Sequence, residues 1–147
     1  MALFSICLFA AMARAMGQQA GEATTPEAAA VKICSGCHGM QIVMDTPKDY
    51  DDWHDTVQKM IDRGARGTPE EFDLVMDFLF QNMTPIDVNH ADADTLMAIL
   101  HASQEAAQAI IKRRETRPFK TLADLENAVP GLDKMLLDGK KRMIFFQ

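Results

Sequence analysis

Apolar positions along the chain fall first into an unbroken run and then into helical stripes. Ala2 to Ala13 is uncharged and apolar, with Leu3, Phe4, Ile6, Leu8 and Phe9 at its centre. After a polar interval, Pro26-Glu27-Ala28-Ala29-Ala30-Val31-Lys32-Ile33 opens a helix: Pro stands in the first turn, Glu beside the positive end of the dipole, and strong helix formers follow. This helix is expected to run on past Cys34 and Cys37 and to end at Gly39. From Asp51 to Arg63, Trp53, Val57, Met60 and Ile61 occupy i, i+4, i+7 and i+8, the stripe of an amphipathic helix, and Gly64 and Gly67 close it. Thr68-Pro69-Glu70-Glu71 combines a capping box with Pro at the first helical position. The helix it starts should bury Phe72, Val75, Leu79 and Met76, and Thr84-Pro85 breaks it.

A length of 147 residues leaves room for one ordinary domain or two very small ones. The net charge of −6 gives the surface as a whole no nucleic-acid character. The charge is unevenly placed: residues 20–85 carry five basic and twelve acidic residues, residues 86–147 nine of each. That shift predicts two units with different surfaces. The N-terminal run is too short to span a bilayer as a helix, and Ala13-Arg14-Ala15 and Ala15-Met16-Gly17 offer cleavage sites behind it. Residues 1–17 are therefore expected to be a secretory signal peptide, with Cys7 as apolar filler, although no Lys or Arg precedes the run. Residues 18–25 are expected to form a flexible lead-in, 26–83 a first domain and 84–147 a second.

Cys34-Ser35-Gly36-Cys37-His38 carries the chemistry. Two thiols at this spacing can each add across a vinyl group of one haem, and the adjacent imidazole then reaches the iron. A zinc site needs a second ligand pair, and Cys7 is the only other thiol; a thioredoxin-like pair needs a βαβ context that no flanking strand pattern supplies. The expected cofactor is one covalent haem c, assembled outside the cytoplasm, which agrees with an exported, periplasmic chain. No Ser/His/Asp array, phosphate loop or carboxylate pair offers another catalytic centre.

The three-helix pattern of residues 26–83 resembles class I cytochrome c. Trp53-His54-Asp55-Thr56-Val57-Gln58-Lys59-Met60 is similar to the W-x-x-x-V-x-x-M helix that follows C-x-x-C-H in small bacterial cytochromes serving periplasmic dehydrogenases. The resemblance implies His38 and Met60 as iron ligands, and a soft thioether suits a six-coordinate electron-transfer iron of raised potential. Trp53 would wall the haem pocket. Met44, Met83, Met40 and Met76 remain competing thioethers, and His54 a competing imidazole. An iron left without Met60 would have an open position and suit a peroxidase-like enzyme.

Ile86-Asp87-Val88-Asn89-His90-Ala91 through Leu96 resembles the start of the tandem helix-hairpin-helix domain of competence DNA receptors, I-N-V-N-x-A-x-x-x-x-L. The likeness continues through Ala106 to Arg114, Pro118 to Leu125 and Val129-Pro130-Gly131-Leu132. It implies helices near 92–100, 104–115, 122–128 and 133–142, with Ser103 and Thr121 as N-caps. The fold class is therefore all-α, a cytochrome c-like haem domain followed by a helix-hairpin-helix domain. DNA-binding members carry a G-x-G hairpin whose bare amides meet phosphate. Here Leu100-His101-Ala102-Ser103 has no glycine, and Asp133 stands where the second hairpin's other glycine belongs. Lys112, Arg113, Arg114, Arg117 and Lys120 form one basic cluster and Lys140, Lys141 and Arg142 another. Electron transfer to a redox partner or within a larger oxidoreductase complex is the expected function, with the second domain docking a protein; extracytoplasmic DNA binding is the alternative.

Overall fold

The computed structural model describes residues 21–147. The signal peptide expected over 1–17, Cys7 and the start of the lead-in lie outside the described residues. Within them the chain is almost entirely helical. α1 spans Pro26–Cys34, α2 Gln41–Met44, α3 Tyr50–Asp62 and α4 Pro69–Met83. A two-residue strand, β1 (Ile86–Asp87), leads into α5 (Ala93–Leu100), α6 (Gln104–Thr116), α7 (Leu122–Ala128) and α8 (Lys134–Lys140), and β2 (Ile144–Phe145) follows.

In the first unit α1 and α3 both pack on α4. Their ends are built from local chemistry. Thr25 caps α1, Asp49 caps α3, and Thr68 and Glu71 exchange side chain-to-backbone bonds across the start of α4. The far end of α3 closes with a Schellman turn: Gly64, at φ 95°, donates to Ile61 and Ala65 donates to the Met60 carbonyl. Ala29, Ile33, Val43, Trp53, Val75, Leu79 and Met83 form the core. α1 stops at Cys34 rather than at Gly39, so Cys37 and His38 sit in the turn and bend beyond it; the Ser35 hydroxyl bonds the Val31 carbonyl and helps close the helix. The short α2 is a further element.

Glu71 ties this unit together. Its carboxylate is buried, 1 % exposed, and accepts from Lys32 Nζ at 2.6 Å, the Ala23 amide at 2.7 Å and the Thr68 amide at 3.1 Å. The Lys32 hydrogen bond first, then the two amides, hold its pKa down at about 2 from the usual 4.5. Ala23, in the segment expected to be a flexible lead-in, is thereby anchored to α4.

The second unit has a separate and closely packed core, with Val88, Leu96, Leu100, Ala107, Ile110, Leu125 and Leu137 fully buried. Its four helices match the expected spans to within a residue or two, and Ser103 and Thr121 cap α6 and α7. β1 and β2 pair in parallel, Ile86 with Ile144 and Asp87 with Phe145, and so fasten the two ends of the unit together. Asn89 locks the start of the motif: its amide donates to the Phe119 carbonyl and its oxygen accepts from the Phe119 amide, each at 2.9 Å. Among the described residues, no helix is long and apolar enough to cross a membrane.

Candidate functional site

A cavity of about 360 Å3 opens between the helices of the first unit. α1 and the turn beyond it supply Ile33, Cys34, Cys37 and His38; α2 and the following loop supply Ile42, Val43, Thr46 and Lys48. α3 contributes Trp53, Thr56, Val57, Met60 and Arg63, and α4 contributes Phe72, Val75 and Leu79. The volume lies in the usual range of ligand pockets, roughly 300–1,000 Å3, and the lining is apolar apart from a few convergent donors. All five residues singled out for a haem site, Cys34, Cys37, His38, Trp53 and Met60, thus face one cavity.

The periodicity explains the α3 contribution. Of the α3 stripe, Trp53, Val57 and Met60 line the cavity, whereas Ile61, next in the chain after Met60, lines a separate groove of about 380 Å3 that Val57 also borders. His54 lies in that second groove and not in the cavity. The competing thioethers are placed elsewhere too: Met44 is 49 % exposed at the end of α2, and Met83 is buried in the core beyond the cavity lining. Met60, held at the start of the Schellman turn with Ala65 beside it in the lining, is the methionine among the cavity residues.

The polar groups of the lining are individually fixed. Cys34 and Cys37 are free thiols, and partial burial raises the Cys34 pKa, keeping that sulfur protonated. His38 Nδ1 lies 3.2 Å from the Gly39 carbonyl. A carbonyl only accepts, so Nδ1 is the donor in this contact. Trp53 is 3 % exposed and its indole N–H donates to the Met83 carbonyl at 3.2 Å, which fixes the ring as a wall. Lys48 lies over that ring, 5.8 Å from its centre. Lys48, in a loop, and Arg63, at the C-cap of α3, add two cations to an otherwise apolar lining and suit a ligand with acidic substituents. Neither belongs to a motif; Arg63 follows Met60 by three positions and so shares its side of α3, whereas Lys48 is brought in from a loop by the assembled fold. Among the described residues no three of His, Cys, Asp and Glu gather closely enough to hold a metal ion by themselves, Cys34, Cys37 and His38 included.

In the second unit, the hairpins are internally satisfied. His101 takes the left-handed conformation, φ 51° and ψ 33°, that glycine adopts readily in this place. Ser103 then accepts from the Ala106 amide at the start of α6. Asp133 accepts from the Met135 and Leu136 amides, at 2.9 and 3.2 Å, covering donors that a phosphate would otherwise meet.

Residues 81–141 match the helix-hairpin-helix motif family. No curated protein matches the chain, and no solved structure does. Several cations of the helix-hairpin-helix unit are engaged within the fold. Arg114 donates to the Val88 and Ala91 carbonyls at 2.8 and 2.7 Å, and Arg113 stacks over Phe119 at 5.1 Å while reaching the Arg117 carbonyl. The expected surface cluster of Lys140, Lys141 and Arg142 loses two members: Lys140 is buried, and Lys141 pairs with Asp138 at 3.0 Å.

Proposed function

We propose that the chain is an exported, periplasmic monohaem c-type cytochrome that passes single electrons, as a carrier or as a subunit of a larger redox complex. One observation carries the reading: two thiols, an imidazole and a thioether from another helix line a single apolar cavity. A bound haem c would supply a one-electron iron couple. The residues' part is holding, ligation and exclusion of water. Cys34 and Cys37 would hold the haem covalently, each thiol S–H adding across one vinyl group with no net oxidation. His38 and Met60 would hold the iron, and a thioether ligand would raise its potential. Trp53, Val75, Leu79 and Phe72 would exclude water from the cofactor, and Arg63 and Lys48 would balance its acidic side chains. The acidic surface of residues 20–85 suits a partner with a basic face, and association should weaken with salt.

Substituting the thioether tests this reading. Met60→Ala should abolish the sulfur-to-iron charge-transfer absorption of the oxidised protein, and Met44→Ala should leave it intact. Retention of that absorption in Met60→Ala would assign the sixth ligand elsewhere.

The helix-hairpin-helix unit serves protein contact in this reading. The resemblance to competence DNA receptors by itself favours DNA binding. Asp133 over the α8 amides and the internal use of Arg113, Arg114 and Lys140 count against it. A duplex-DNA titration at low salt should show no saturable binding; tight binding with a steep salt dependence would restore the DNA function.

A further inference from the structure

Lys140 is a buried cation whose role neither haem ligation nor a hairpin explains. It is 8 % exposed, at the end of α8. Its Nζ donates to the Ile99 carbonyl at 2.7 Å, in the last turn of α5, and to the Gln81 carbonyl in the last turn of α4. Carbonyls in a final helical turn have no intrahelical donor and mark the negative end of the dipole. Lys140 therefore fastens the ends of two helices, one from each unit. Burial lowers its pKa from 10.5 to about 8, a cost that an exposed lysine such as Lys141 avoids.

The grip on α4 continues into the cavity. Two residues beyond Gln81, the Met83 carbonyl accepts from the Trp53 indole and from the Lys48 amide, each at 3.2 Å. One turn of α4 is thus held on one side by the helix-hairpin-helix unit and holds, on the other, two residues of the cavity lining. A second connection runs in parallel. Phe80 packs against the second core and meets Tyr50, the first residue of α3, edge to face at 5.7 Å. α3 carries Trp53, Val57 and Met60.

From this arrangement we infer that the helix-hairpin-helix unit is an internal buttress of the cavity, and that Lys140 is a positioning residue acting on Trp53 through the last turn of α4. The unit's first binding partner is the other half of its own chain. The inference concerns this chain's packing and stands whatever the cavity holds, so it can fail while the cytochrome reading survives, and the reverse.

Trp53 is the single tryptophan, so the chain gives one indole N–H resonance. In the purified full chain, Lys140→Met should shift that resonance and speed its hydrogen exchange at least tenfold. Lys140→Arg, which keeps charge and donors, should restore much of the protection, and Lys141→Met should change nothing. An unchanged indole signal and exchange rate in a folded Lys140→Met chain would overturn the inference. A measurement on the unaltered chain covers the case in which Lys140→Met does not fold. In native-state exchange under mild denaturant, the Trp53 indole and the Lys48 amide should open together with the core amides of α6 and α7. Opening of α6 and α7 with the Trp53 indole still fully protected would overturn it equally.

Discussion

The two halves of the molecule use their polar groups in opposite ways. In the first unit Cys34, Cys37, His38 and Met60 turn toward an open cavity, and the apolar lining around them leaves them no mutual partners. In the second, the groups that could meet an outside ligand are turned inward: Asp133 covers the α8 amides, Arg114 serves two carbonyls and Lys140 binds the ends of two helices. One core opens on a cavity, and the other buries its apolar side chains against one another. The difference teaches that a motif's family gives its shape, and the fate of its polar atoms says what that shape is free to do.

Core truncation should break or sharpen this contrast most strongly. Leu125, fully buried in the second core, should cost about 2–5 kcal/mol as Leu125→Ala, because it leaves a new void. Val75→Ala removes two methyl-sized groups beside space that already exists, and should cost about 1.5 kcal/mol from transfer alone. Urea unfolding of the full chain checks both; equal costs would mean that the first core closes up. Next comes acid. Glu71 has a folded pKa of about 2 against 4.5, so its stabilisation is complete above pH 4.5 and is lost as the pH falls from there toward 2. Glu71→Gln should be less stable at neutral pH and should show a flatter acid limb in thermal melts recorded across that window. The smallest effect belongs to the hairpin. His101 occupies a left-handed conformation that costs a side chain roughly 1 kcal/mol, so His101→Gly should be neutral or stabilising by up to about that amount. A clear loss of stability in calorimetry would show that the imidazole makes a contact of its own.

Much of this is legible in the amino-acid sequence. The C-x-x-C-H spacing and the Trp53-Val57-Met60 stripe depend on short range and helical period, which the sequence displays directly. The caps Thr68, Ser103 and Thr121 are local in the same sense. Tertiary outcomes were not legible. Met83 and Met60 look alike along the chain, and only the packing of α4 turns one into core and leaves the other at the cavity. Lys140 stands between an exposed-face glycine and an ion-paired lysine, and its long side chain reaches two carbonyls that are 59 and 41 residues away. The paired strands at 86–87 and 144–145 are two residues each, too short for any alternation to show. His101 gave no glycine signal, yet its backbone performs the turn that glycine usually makes.

The most direct test of the central claim is the intact mass of the full chain, produced in a host that matures c-type cytochromes and measured after denaturation. The account predicts a protein carrying the added mass of one haem, absent from the Cys34→Ala/Cys37→Ala double variant. A chain that emerges without added mass, while a control cytochrome from the same host is loaded, would contradict it.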